Sequence, residues 1–388
     1  MPQPITHYLV IKNAMKNTQS NKWEENNKYA GFGSFGPDLF YMKDIFWGVL
    51  GGISETIEKY NYEFISDLFH WEGSLDFFSS MLDNIKKKKN EGASEKVINK
   101  LLAFAYGYYC HAVSDFVFHP FVYRKSEDHW LKHDPAENYN KHKLVEAVID
   151  THLLKKIEGK DVNPYKYKYY EKIKCYHQNN DKTLDEDIFK LINDSIKEVY
   201  AAHIDSGSYN NNRKYAEYFE KFSLDDEEHP IHEAYDDFVD TISSVYSSPL
   251  FNLTTSKKIL ALKPIKSIVS METEKYLNEK NSNWSVSEEH QLLYSAEQLF
   301  NIAVSVTEKI ILASEAYLND VKSNSAKDYF HKNHADVPYL DKNYNLDTGL
   351  PCDHNDNDEH AHMDEKTRFL YAIEELNDHY KKLESVVV

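Results

Sequence analysis

The sequence predicts an all-α fold, and three observations predict it. Turn formers are scarce, with 12 Gly and 11 Pro in 388 residues. Apolar residues recur at helical spacing in most windows. Residues 102–122, LAFAYGYYCHAVSDFVFHPFV, are almost wholly apolar and aromatic, as a buried helix is.

Residues 1–30 open with a proline-punctuated tail and then ITHYLVIKNAMK, a short amphipathic helix carrying His7. Residues 31–41, GFGSFGPDLFY, read as a glycine-rich turn. No lysine follows the GxG and no strand precedes it, which argues against a phosphate-binding loop. Asp38 follows Pro37 ahead of an apolar stretch, where a helix N-cap would stand. Residues 44–54, DIFWGVLGGIS, read as core or as the wall of a pocket. Residues 62–81 read as one helix, with His70 among Phe69, Trp71 and Phe77, and residues 84–95 as a lysine-rich polar connection.

In the central helix His111, Asp115 and His119 fall at i, i+4 and i+8, on one face. Pro120 should end that helix at His119. A polar loop over 123–141 holds His129 and His133. Residues 142–154, HKLVEAVIDTHLL, are helical and set His142 and Glu146 on one face, with Asp150 one turn further. Helices follow at 185–202, 211–222, 231–247 and 288–321. The last carries an apolar repeat through Leu292, Leu293, Leu299, Ile302, Val306, Ile310 and Leu312. Residues 322–365 read as a low-apolarity loop around CDHNDNDEHAH, taken as solvated chain, and 366–383 as a final helix.

Composition narrows the function. The net charge of −18 argues against a nucleic-acid backbone as partner unless bound cations invert the local field. Cys110, Cys175 and Cys352 lie far apart and form no CxxC pair, so neither a disulfide framework nor a cysteine zinc motif is present. MPQPITHYLV has no basic n-region and no apolar h-region, and no apolar run reaches the length of a membrane span. The expected location is therefore cytoplasmic, or secreted if a signal has been removed. No obligate protein partner is evident.

The 19 histidines are the anomaly. A buried carboxylate such as Asp115 is costly unless it is paired or metal-bound. It could take hydrogen bonds from its histidines in a structural trio, or bind metal with ligands from elsewhere. The first 150 residues supply His7, Asp38, His70, His111, Asp115, His119, His142 and Glu146. All are imidazole or carboxylate and none is thiolate, a zinc set of the catalytic kind. They are too many for one ion and suit two or three.

The order THY, GPDLFY, a helical His, HxxxDxxxHP and HxxxE resembles the zinc-dependent phospholipase C family over roughly residues 5–155. The central HxxxDxxxH is also similar to that of glycosylphosphatidylinositol-specific phospholipase D. The resemblance implies an all-helical catalytic core like that of these enzymes and of zinc nucleases, with further C-terminal helices. It implies one zinc at Asp38, His70, His111 and Asp115, a second at His119, His142 and Glu146, and a third at Asp115 and His7. In the family the third ion also takes the terminal amine, which here would be that of Pro2 after loss of Met1. Asp38 would be both ligand and general base. Leu39 stands where secreted bacterial members have the aromatic of their choline pocket.

The implied chemistry is phosphodiester hydrolysis by a zinc-activated hydroxide attacking phosphorus. The implied substrate is a phospholipid or its head group, met in transient contact with a membrane surface. An acidic surface does not favour anionic bilayers. The alternatives are a zinc nuclease, a phospholipase D-like enzyme, and a helical metal-binding protein without turnover. The expected organisation is a zinc-binding core over 1–160, further helices of the same domain over 161–320, and a polar His/Asp-rich loop with a terminal helix over 321–388.

Overall fold

The computed structural model describes residues 4–41, 66, 69–70, 73–126, 135–163, 167, 171, 173–177, 180–205, 229–247, 276–284, 291–344, 346, 380–381 and 383. The expected features at 44–54, 211–222 and 352–362, together with Pro2, His129 and His133, lie outside them. The architecture is all-α. Its elements are α1 (Pro4–Gly33), a 3-10 helix (Gly36–Tyr41), α2 (Ser74–Asn90), α3 (Glu95–Lys125), α4 (Pro135–Glu158), α5 (Glu186–Asp205), α6 (Pro230–Ser247), α7 (Ala296–Asn319) and α8 (Ala326–Asn333). One antiparallel pair, β1 (Tyr176–His177) with β2 (Asn180–Leu184), was not foreseen from the helical periodicity.

The axis of the packing is α3. It is buried on every side from Leu101 to Val122, so its sequence shows no polar face. Against it lie α1, α2, α4 and α7. Ser94 caps its first turn, accepting a hydrogen bond from Val97 N. Contrary to the sequence reading, α3 does not stop at His119 but continues past Pro120 to Lys125. Pro120 forfeits the bond to the Phe116 carbonyl, at a cost of about 3 kcal/mol or more. Tertiary bonds hold that turn: Tyr380 Oη donates to the Val117 carbonyl (2.6 Å), and His119 Nδ1 bonds the Leu346 carbonyl (2.6 Å).

The first helix is far longer than the short amphipathic one expected, at 30 residues. Ile5 to Ile11 are buried without a break, so this end of α1 has no solvent face to reveal its period. Gly31 and Gly33 belong to the helix rather than to a turn. Gly33 serves a helix crossing: a Cβ there would lie 2.2 Å from the Phe104 carbonyl oxygen, and one at Gly107 2.1 Å from the Ala30 carbonyl oxygen. The two backbones touch because neither residue has a side chain.

This sets a first prediction. In an open helix Gly→Ala stabilises by roughly 0.5–1 kcal/mol. At Gly107 the obstacle is backbone, and overpacking of this kind costs about 1–3 kcal/mol. Gly107→Ala is therefore expected to lower the unfolding free energy measured in urea; a gain in stability would contradict the crossing.

Elsewhere tertiary contacts redraw the expected boundaries. Ser66, Phe69 and His70 are helical, but Gly73 (φ 75°) separates them from α2. Residues 84–90 are the end of α2, not a connection. Lys86 Nζ donates to the carbonyls of Tyr317, Asp320 and Ser323 at 2.7–2.8 Å, so the basic run closes the C-terminus of α7. Of the polar loop expected over 123–141, the first residues belong to α3, which reaches Lys125, and the last to α4, which starts at Pro135. The start of α7 is fixed at Ser295 by a capping box with Gln298, a signature present in the sequence. Leu293 and Leu312 of the expected apolar repeat are instead exposed (42 % and 56 %). The expected loop over 322–365 contains α8 and a strap whose Val337, Tyr339, Leu340, Asn343, Tyr344 and Leu346 are buried. Asn343 Oδ1 accepts from Leu75 N (2.9 Å) and Asp76 N (3.2 Å), capping α2 where Gly73 has no side chain. Tyr339, in left-handed conformation (φ 66°), packs on Phe116 of α3 and takes a hydrogen bond on its carbonyl from Tyr109 Oη. Among the described residues no helix is long and apolar enough to cross a membrane.

Candidate metal centre

Five pieces of chain bring the side chains together. His7 comes from the first turns of α1, Asp38 from the 3-10 helix, and His70 from the helical turn before Gly73. His111, Asp115 and His119 come from α3, and His142 and Glu146 from α4. Every one of these residues is buried, with at most 6 % of its surface exposed. The 3-10 helix approaches so closely that a Cβ at Gly36 (φ 60°) would lie 2.5 Å from the His111 ring. Glycine there meets both the backbone conformation and the contact.

Asp115 is the centre of the arrangement. Its Oδ1 faces His7 Nε2 (3.4 Å) and His119 Nε2 (3.8 Å), and its Oδ2 faces His111 Nε2 (3.2 Å) and His70 Nε2 (3.9 Å). Neither oxygen accepts an aligned hydrogen bond. Burial pushes its pKa up, opposed in part by His111 and His70. Asp38 Oδ1 lies 3.4 Å from His70 Nε2. The His7 and His111 rings stack at 4.2 Å.

Around α4 a second group forms. His142 Nε2 is 2.8 Å from Glu146 Oε1, and the His119 and His142 rings meet edge to face at 5.8 Å. Burial pulls the His142 pKa down to about 4, so its ring is neutral and its lone pair available at neutral pH. Burial opposes ionisation of Glu146, but Lys143 and His142 beside it hold its carboxyl well below the usual range. Asp150, one turn on, is not in this group. It accepts from Ile5 N (3.2 Å), Thr6 N (2.9 Å) and Thr6 Oγ1 (2.5 Å), so it caps the N-terminus of α1.

The far sides of the rings show what the arrangement can do. His70 Nδ1 bonds the Ser66 carbonyl (2.7 Å), His111 Nδ1 the Ser34 carbonyl (3.1 Å) and His119 Nδ1 the Leu346 carbonyl (2.6 Å). A carbonyl only accepts, so each Nδ1 carries the proton and each Nε2 turns its lone pair toward the carboxylates. Outer partners orient ligand imidazoles in this way. Three clusters could each hold a metal ion: His7, His111 and Asp115; Asp38, His70 and His111; His119, His142 and Glu146. The donors are nitrogen and oxygen throughout, and the described cysteines, Cys110 and Cys175, are free thiols outside these clusters. The residues fit zinc.

The sequence singled out every side chain in these clusters. It missed the carbonyls of Ser34, Ser66 and Leu346, which carry no sequence signal, and Lys143, which stands between His142 and Glu146 in HKLVE. Lys143 Nζ is 3.1 Å from Glu146 Oε2.

Helices that enclose clusters of buried imidazole and carboxylate, with lone pairs turned inward, define a helical protein with candidate nitrogen- and oxygen-ligand metal sites. Comparison with protein families makes the class specific. The chain belongs to the zinc-dependent phospholipase C family, whose model matches residues 6–205, the stretch holding all the cluster residues. No curated protein and no solved structure gave a match.

Proposed function

We propose that the protein is a zinc-dependent phosphodiester hydrolase of phospholipase C type, cleaving a phospholipid or its head-group diester. The observation that carries this reading is the two-sided carboxylate of Asp115, each oxygen of which faces a different pair of histidines. Asp38, His70, His111 and Asp115 would hold one ion, and His119, His142 and Glu146 a second. His7 with Asp115 would hold a third. The commitment of Asp150 to the end of α1 favours this plan over the nuclease one, which would close the second site with an aspartate.

Zinc, when bound, supplies Lewis acidity toward a phosphoryl oxygen and acidifies water. The chain does the rest. The carbonyls of Ser34, Ser66 and Leu346 hold the rings in one tautomer, so no reorientation is required when charge develops. Asp38 is the general base that takes the proton of the attacking water. Burial of all three carboxylates keeps bulk water from competing with substrate for the ions. Water adds to phosphorus, the P–O bond to the glycerol oxygen breaks, and the products are a diacylglycerol and a phosphomonoester.

The test is a substrate panel on zinc-loaded protein: a chromogenic phosphodiester, phosphatidylcholine and single-stranded nucleic acid. Diacylglycerol with a phosphomonoester is the expected lipid outcome. Phosphatidic acid would mean D-type cleavage, and preference for nucleic acid would mean a nuclease. Tight zinc without turnover on any substrate would mean a metal-binding protein only.

A further inference from the structure

We propose that Lys143 is a positioning residue that restricts Glu146 to binding metal through one oxygen. The proposal rests on the zinc reading above. The two Glu146 oxygens face different neighbours: Oε1 lies 2.8 Å from His142 Nε2, on the cluster side, and Oε2 lies 3.1 Å from Lys143 Nζ. His142 and Lys143 are four and three residues before Glu146 on α4, so one turn of helix flanks both oxygens. Lys143 is 7 % exposed. An ammonium has three donors and no acceptor, so it cannot ligate the ion; it can only occupy a carboxylate oxygen.

A carboxylate with both oxygens available can chelate a cation through both. With the Lys143 ammonium 3.1 Å from Oε2, a metal here would meet three protein donors, one each from His119, His142 and Glu146, and would keep a position for water or a phosphoryl oxygen. That is the distinction between a catalytic zinc site and a closed structural one. A helix-stabilising ion pair would give the same benefit on the solvent face without desolvating an ammonium. The buried Lys143 charge instead opposes metal binding, so the arrangement gives up affinity for an open position.

The reading has an unusual sign, and that makes it testable. Lys143→Met keeps the aliphatic stem and removes the charge. Glu146 Oε2 is then released to the ion and a repulsive charge is lost. Zinc measured by competition with a chromophoric chelator should bind about tenfold more tightly or better. Turnover of a chromogenic phosphodiester should fall by about tenfold with KM little changed. Cobalt(II) in the same site should absorb less strongly in the visible, because its coordination number rises. Lys143→Arg should return all three toward wild type. Lys143→Gln gives the same comparison if the methionine variant does not fold. Zinc bound equally or more weakly by the variant, with an unchanged cobalt spectrum, overturns the role of Lys143 alone. A wild-type chain that takes up no zinc overturns the centre itself, and this role with it.

Discussion

Asp115→Asn should abolish hydrolysis and leave the fold standing. Asparagine keeps the volume of the fully buried Asp115 but removes the charge on which both histidine pairs converge. The loss of several kcal/mol of electrostatic stabilisation predicts a fall in kcat/KM of more than about a thousandfold. Helical circular dichroism should persist, because α3 is buried from Leu101 to Val122, mostly by apolar and aromatic side chains. The metal-free variant should be no less stable than metal-free wild type. The sign follows from the pKa: burial raises Asp115 above its unfolded value, so between the two values the folded chain holds a proton that the unfolded chain releases. Stability from this group is lost as pH rises through the folded value, and at neutral pH a neutral amide avoids the cost. Global unfolding of the variant would show that the centre is structural and count against the enzyme reading.

Stripping zinc should cost stability as well as activity. Gently purified, zinc-replete protein is expected to carry at least two zinc per chain by native mass spectrometry. An ion at a hundred times its Kd adds about 2.7 kcal/mol to the folded state, so two ions add about 5 kcal/mol. Chelation should therefore lower the melting temperature, and readdition of zinc should restore it. One ion or none, or a melting temperature indifferent to chelator, would sink the multinuclear centre.

How much of this was legible depends on where each residue's partners lie. His111, Asp115 and His119 were legible because helical spacing alone aligns them, and the same holds for His142 and Glu146. His7, Asp38 and His70 are isolated in the sequence: donor chemistry made them candidates, and the resemblance alone assigned them to particular ions. Pro120 misled because local backbone preference is a few kcal/mol, which burial of the helix through Val122 offsets together with the hydrogen bonds from Tyr380 and Leu346. Gly33 reads as a turn residue, and Gly107 as one more small residue of a buried helix, until the crossing of α1 and α3 is known. Lys143 was passed over because an ammonium is no zinc ligand; its meaning depends on which Glu146 oxygen it meets. The carbonyl that fixes His119 could not be read at all, since every residue has one.

That carbonyl has a consequence for the order of events during synthesis. Leu346 accepts from His119 Nδ1 and donates its N–H to the His70 carbonyl (2.7 Å), so one residue ties two candidate ligands. The family match ends at residue 205. A ribosome that has made this much has released every candidate ligand but not their tie, which follows about 140 residues and roughly 10–30 s later at ordinary elongation rates. The nascent chain therefore passes through an interval in which all the candidate ligands exist and the carbonyl that orients His119 Nδ1 does not. On the zinc reading, a chain cut before Val337 is expected to bind zinc more weakly than the full chain, because the carbonyl that orients His119 is then missing.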